Sequence, residues 1–151
     1  TGVRTFEAAA YLRRNGADVT RVRKLFREDV NEYKAKADAV SQAEIYRTYY
    51  AISTCTSDGI QSPTIIGAQA ANELLNIRGV KASFVLTNYQ GKLYISARSI
   101  DEVNVQVIME RLGGGGHMNI AGCQMEGMSV QEVAQEIRNT LDRMIDEGEL
   151  D

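Results

Sequence analysis

The segment Gly113-Gly114-Gly115-Gly116-His117 places four residues without a Cβ directly before the only histidine of the chain. Glycine lets the backbone approach a ligand closely and take positive φ. Successive N–H groups in such a run can converge on an anion. His117 adds an imidazole donor beside them, charged when protonated. For an isolated glycine run the plainer reading is a flexible connection with a surface histidine. Here the run lies between a periodic helical segment and a strand-like one. Glycine loses much entropy on ordering there, so a ligand loop is expected. A second candidate is Ile95-Ser96-Ala97-Arg98-Ser99. On a strand Ser96 and Arg98 share a face, because side chains alternate with period two. A guanidinium fork beside a hydroxyl suits phosphate or carboxylate oxygens. The polar side of an edge strand explains this segment alone equally well. Asn104 could donate to the same ligand, although a helix cap is its simpler role.

The rest of the composition narrows the chemistry. One histidine, two well-separated cysteines (Cys55 and Cys123) and no H-E-x-x-H or D-H-H segment point to no metal centre in this chain. The cysteines read as reduced, buried thiols. Without a G-x-S-x-G elbow a serine hydrolase is disfavoured. The net charge of -3 disfavours a general nucleic-acid surface, so no long nucleic acid is expected as a partner. Residues 1–36 carry nine Lys/Arg and five Asp/Glu, whereas residues 100–151 carry three and eleven. The acidic end repels polyanions, and any phosphate site must be local. Arg21-Val22-Arg23-Lys24 reads as a solvated helix face, and Asp101 and Glu102 as helix-start charges. Apolar runs such as Phe84-Val85-Leu86 are too short to span a bilayer, and no secretory leader is visible. The chain opens on Thr1 and is expected to be a piece of something longer.

These residues need elements to position them. Residues 1–43 predict three helices, with Asn15-Gly16 closing the first and Asp18 capping the second. Val19, Val22, Leu25 and Phe26 share one face of the second, and Val30, Tyr33, Ala37 and Val40 mark the third. Three such helices cannot close a core alone. They are expected to pack on the rest of the chain, on a missing domain or on a second copy. Ile45–Cys55 predicts one strand, Ser57-Asp58-Gly59 a turn, and Pro63 the first turn of a helix through Leu75. Val80–Asn88 and Leu93–Arg98 predict a hairpin about Gln90-Gly91. Val103–Leu112 predicts a helix, Ile120–Met125 a strand, and Ser129-Val130-Gln131-Glu132 a capping box opening a last helix. The expected fold is α/β, with a mixed, largely antiparallel sheet flanked by helices and an N-terminal helical connector.

The Ser96/Arg98 strand, Asn104 and the glycine-histidine loop ending in Ala121-Gly122 resemble the DHH-associated substrate-binding domain of DHH-type phosphoesterases. Longer stretches resemble one branch, the membrane-anchored cyclic-di-AMP phosphodiesterases of the GdpP type. These stretches are Arg4–Arg13, Gly16–Asp18, Ile66–Ala71, Val80–Phe84, Ile95–Ser99 and Val103–Glu110. The resemblance covers nearly the whole chain. It implies a helical connector at 1–43 from a DHH catalytic domain outside this sequence, and a DHH-associated substrate-binding domain at 44–151. It also implies two manganese ions on that DHH domain and none here, so no residue of this chain is expected to be catalytic. The implied reaction opens cyclic-di-AMP to linear pApA. Ser96, Arg98, Asn104, Gly114, Gly115, Gly116 and His117 are the expected substrate-binding residues. The partners it implies are a cyclic or short linear dinucleotide and the protein's own DHH domain; the N-terminal helices add a second copy, in a homodimer, as a further candidate. The implied location is a cytoplasmic domain of a membrane-anchored bacterial protein, with no membrane contact by this segment. The Ala121-Gly122 ending is nearer the broader superfamily. A short-oligonucleotide or 3′,5′-bisphosphate hydrolase, and a non-catalytic nucleotide sensor, therefore stand as alternatives.

Overall fold

The computed structural model describes residues 2–100 and 102–150. Three helices come first: α1 (Val3–Arg14), α2 (Val19–Leu25) and α3 (Val30–Ser41). Gly16 takes φ +92° after α1. Asp18 caps α2, accepting from the Thr20 and Arg21 N–H groups at 2.8 and 3.4 Å. Both ends fall where the sequence places them.

The sheet elements follow: β1 (Glu44–Tyr46), β2 (Tyr50–Cys55), α4 (Pro63–Leu74), β3 (Ala82–Tyr89), β4 (Lys92–Ser99), α5 (Val105–Arg111), β5 (Gly115–His117), β6 (Ile120–Met125) and α6 (Val130–Asp146). The strand order is β1-β2-β3-β4-β6-β5. Only β2 and β3 run parallel, joined through α4, and the other four pairs are antiparallel. The mixed, largely antiparallel α/β class is as expected. The single strand expected over Ile45–Cys55 is corrected to a tight hairpin. Arg47 and Thr48 take φ 47° and 72° and reverse the chain. Asp142 of α6 accepts from Tyr46 Oη at 2.8 Å and Arg47 Nε at 2.9 Å, fixing that turn from outside.

Each sheet face has its own layer. On one, Phe84, Leu86, Ile95 and Ala97 pack with Ile108 of α5 and Val133, Ile137 and Leu141 of α6. Burying each large aliphatic side chain contributes about 1.5–3 kcal/mol. The Ser129–Glu132 capping box starts α6, as its sequence predicts. On the other face Ala51 and Val85 pack beneath α3 and α4. Here α3 seats through Ala35 and Ala39 rather than through the Val30–Tyr33–Ala37 stripe. Alanine leaves room for the close approach, whereas Val30 and Tyr33 stay 60% and 62% exposed. Neither α1 nor α2 buries a described residue, and Leu25 and Phe26 are 82% and 78% exposed. On this second face the buried layer stops at β3. Beyond β3 this face is only half-buried on β4, which α4 reaches at Arg98, and mostly exposed on β6 and β5.

Helix α4 lies close on β3 because Gly67 has no Cβ: one built there would sit 2.4 Å from Thr87 Oγ1. Gly67→Ala is expected to destabilise by about 1–3 kcal/mol through overpacking. That outweighs the roughly 1 kcal/mol that alanine adds to helix propensity. Thr87→Ala in the same chain should recover most of the loss, read as urea midpoints. A single variant as stable as the parent would mean the helix has room to move.

Candidate functional site

The open face is defined by register. Ser96 of β4 stands opposite Gly122 of β6, which stands opposite Gly115 of β5. Arg98 stands opposite Ile120, which stands opposite His117. Directly opposed residues share a face, so Ser96, Arg98, Gly115 and His117 all point to the face that carries α4, which reaches β4 where Asn72 meets Arg98. Burial agrees. Ile95, Ala97, Ala121 and Cys123 are 0–6% exposed on the opposite side, whereas Ile120 is 56% exposed and His117 is exposed. Arg98 and His117 are two strands apart, about 10 Å at the usual strand spacing. Ile120, on the strand between them, stands in the same row on that face.

The four glycines do different work, and two of them use their N–H groups within the fold. Gly113, at φ +82°, donates to Glu110 O at 3.0 Å, and Gly114 donates to Met109 O at 2.8 Å. This pair of bonds is a Schellman end to α5, and it takes up both N–H groups. Gly115 and Gly116 belong to β5, an edge strand, whose N–H groups alternate between β6 and the outside. A Cβ on Gly114 would lie 2.2 Å from Gly122 O and 2.7 Å from Cys123 Cβ. One on Gly116 would lie 2.5 Å from Ala121 Cα, and its φ is +151°. These two glycines let β5 lie tight on β6. Gly115 has neither constraint: its φ is ordinary and a Cβ there would meet nothing within 4 Å. Its bare position faces the ligand side.

Arg98 is half-buried under α4. Its Nε donates to Asn72 Oδ1 at 3.1 Å and its Nη1 to Ala97 O at 2.9 Å. The remaining guanidinium hydrogens are directed elsewhere and can meet a ligand. Burial pushes the Arg98 pKa below its ordinary value, because desolvation disfavours the charged form. An arriving anion would restore that form's advantage. Asn72→Ala is expected to free the guanidinium without changing its charge. Sharpened, averaged Arg98 Nε–H resonances and several-fold weaker anion binding would show it, with Asn72→Asp restoring the order. Unchanged resonances would mean Asn72 does not hold Arg98.

An open pocket of 380 Å³ adjoins these rows, bordered by Thr64, Tyr94, Ser96, Gly114, Gly122 and Gln124 among others. Pockets of 300–1,000 Å³ are the range for small ligands. Thr64 lies in the first turn of α4, so the positive end of that helix dipole borders the cavity. Of the predicted site residues Ser96 and Gly114 line it, whereas Arg98, Asn104, Gly115, Gly116 and His117 do not. Asn104 Oδ1 accepts from the Gln106 and Val107 N–H groups at 3.1 and 3.4 Å and caps α5. Asp101 lies outside the described residues. Glu102 precedes that cap rather than joining the helix start. Part of the acidic end is neutralised nearby, where Arg111 meets Glu147 at 2.7 Å and Glu149 at 2.8 Å. Both cysteines are buried free thiols, and burial pushes each thiol pKa up, which makes them poor nucleophiles.

The sequence reading missed four residues here. Tyr94 and Gln124 were within reach of it: Tyr94 continues the 94-96-98 alternation of β4, and Gln124 the 120-122-124 alternation of β6. Thr64 and Asn72 come from a helix whose docking no local pattern shows. Among the described residues no group of three or more His, Cys, Asp or Glu is arranged to hold a metal ion. No described helix is long and apolar enough to cross a membrane.

Comparison with known proteins agrees with this architecture. The chain is 43% identical over 143 residues to the cyclic-di-AMP phosphodiesterase PdeA of Listeria monocytogenes, covering 94% of this chain and 22% of that protein. It is 45% identical over 142 residues to the cyclic-di-AMP phosphodiesterase GdpP of Geobacillus thermodenitrificans, covering 93% and 21%. The chain thus spans about a fifth of the length of these relatives. An exopolyphosphatase-related protein from Bacteroides fragilis shares the fold, with TM-score 0.79 and 21% identity over 95% of this chain and 44% of its own. With residues 47–147 matching the DHHA1 domain, this chain belongs to the DHHA1 domain family.

Proposed function

We propose that this chain is the substrate-binding part of a metal-dependent phosphodiesterase that hydrolyses cyclic-di-AMP to linear pApA. The observation that carries it is the one sheet face that Arg98, Ser96, Gly115 and His117 share in two adjacent rows. The relatives named as cyclic-di-AMP phosphodiesterases support the choice of substrate. The reaction adds one water across one 3′ P–O ester bond, leaving a 5′-phosphate and a free 3′-hydroxyl. Two manganese ions on a DHH domain outside this sequence would supply the nucleophile and neutralise charge on the phosphodiester. This chain's residues bind and orient. Arg98 donates to phosphate oxygens in fork geometry. Ser96 and His117 add donors at either end of the row, and Gly115 lets the ester approach the backbone. Asn104 holds the start of α5. Residues 1–43 act as the connector, and the exposed Phe6, Leu25 and Phe26 meet the DHH domain.

The test is an NMR titration of this chain with cyclic-di-AMP and pApA, followed by the same titration with the DHH domain joined. Amide shifts concentrated at Gly115–His117 and Ser96–Arg98 are expected, with hydrolysis only in the joined protein and only with manganese or a similar ion. Shifts elsewhere, or none in the joined protein, would overturn the assignment. Competition between cyclic-di-AMP and pApA separates the cyclic-dinucleotide reading from a short-oligonucleotide hydrolase.

A further inference from the structure

The pocket meets the phosphate row at Ser96 and lies along the strands on the side away from Arg98 and His117. Tyr94 and Gln124 stand directly opposite each other on β4 and β6, on the same face as Ser96 and one step further along the strands. Directly opposed residues of an antiparallel pair have Cβ atoms about 5 Å apart, so the ring and the amide form one composite surface. Tyr94 is half-buried and Gln124 exposed, and both border the cavity. Thr64 on α4 forms the facing wall, and beyond Tyr94 the row ends in the Lys92–Glu126 ion pair at 2.8 Å. The strand step from Ser96 to Tyr94 is about 7 Å, so a base linked through a sugar to a phosphate at Ser96 falls over the tyrosine.

We propose that Tyr94 and Gln124 form a nucleobase subsite selective for adenine. The inference rests on the phosphodiesterase reading above and deepens it. The tyrosine ring offers a flat face on which any base stacks. The glutamine amide supplies the discrimination. Its Oε1 accepts from the adenine exocyclic amino group while its Nε2 donates to adenine N7. Guanine presents two acceptors, O6 and N7, along the same edge. The amide can then satisfy only one of them, and its own oxygen faces an acceptor.

The experiment uses the intact enzyme with cyclic-di-AMP and cyclic-di-GMP, and equilibrium binding of pApA and pGpG. Gln124→Ala is expected to raise KM for cyclic-di-AMP by roughly ten- to hundredfold and to erode the preference over cyclic-di-GMP. The turnover number should stay within about threefold, because the contact is made equally in ground and transition states. Tyr94→Leu should weaken both nucleotides alike, and Tyr94→Phe should bind as the parent does. Parent-like KM values and preference in both Gln124→Ala and Tyr94→Leu would overturn the subsite while leaving the phosphate site standing. If the parent hydrolyses neither cyclic dinucleotide, the phosphodiesterase reading fails instead. The subsite is then judged by binding: pApA favoured over pGpG, with that preference lost in Gln124→Ala, upholds it, and equal binding overturns it.

Discussion

Gly115→Ala should leave the protein folded and lower its affinity for a phosphodiester by about ten- to hundredfold, the size of a 1–3 kcal/mol steric penalty. Nothing in the chain lies within 4 Å of the added methyl, and the backbone there is in an ordinary region. The loss therefore falls on the ligand and spares the urea midpoint. Gly114→Ala should behave in the opposite sense. Its methyl would lie 2.2 Å from Gly122 O, a backbone atom of a paired strand that cannot swing aside. Strand β5 must then shift from β6, and stability should fall by several kcal/mol, as a core overpacked against backbone does. Measuring both variants side by side, by denaturation and by pApA binding, separates a glycine kept for a ligand from one kept for packing. Parent-like binding by Gly115→Ala would remove that residue from the site.

Arg98→Ala is expected to weaken binding of cyclic-di-AMP by about 2–3 kcal/mol, the cost of losing charge-assisted hydrogen bonds to a phosphate. That is roughly 30- to 150-fold in affinity. Arg98→Lys should recover only part of it, because an ammonium cannot reproduce the fork while also reaching Asn72. Stability should change little. The guanidinium is only half-buried, and the exposed Asn72 that it meets can turn to water once it is gone. The affinity of the parent should also fall with added salt more steeply than that of Arg98→Ala. Equal affinities, or equal salt slopes, would mean the cation faces something other than the substrate.

Several features were legible because their causes are local. Pro63 at the first turn of α4, Asp18 and Ser129 as caps and Gly16 as a terminator each follow from groups within four residues. Gln90 and Gly91, at φ 53° and 76°, make the tight hairpin their neighbours predict. The pairing of Ser96 with Arg98 on one face needs only strand alternation. Other features were hidden because their causes lie far along the chain. Nothing near Arg47 reveals that Asp142, on the last helix, will hold it in a left-handed turn and cut one strand into two. Nothing in α3 alone favours Ala35 over Tyr33 as the packed residue, since that depends on how closely α4 approaches.

The glycine run shows the division most clearly. Sequence alone marked Gly113–His117 as a place where backbone and ligand could meet, and Arg98 with Ser96 as its partner. It could not assign the glycines. Two N–H groups are taken up by the end of α5, two Cβ positions are closed by β6, and only Gly115 is left bare toward the open face. Torsional preferences and short-range hydrogen bonds are written into neighbouring residues, so the chain itself determined its helices, caps, turns and the polar row on β4. Strand order and register bring Gly122, Cys123 and Asn72 beside residues 8 to 26 positions away. Those excluded volumes exist only once the sheet has formed, so the tertiary structure alone decided which glycine serves the ligand and which face stays open to receive it.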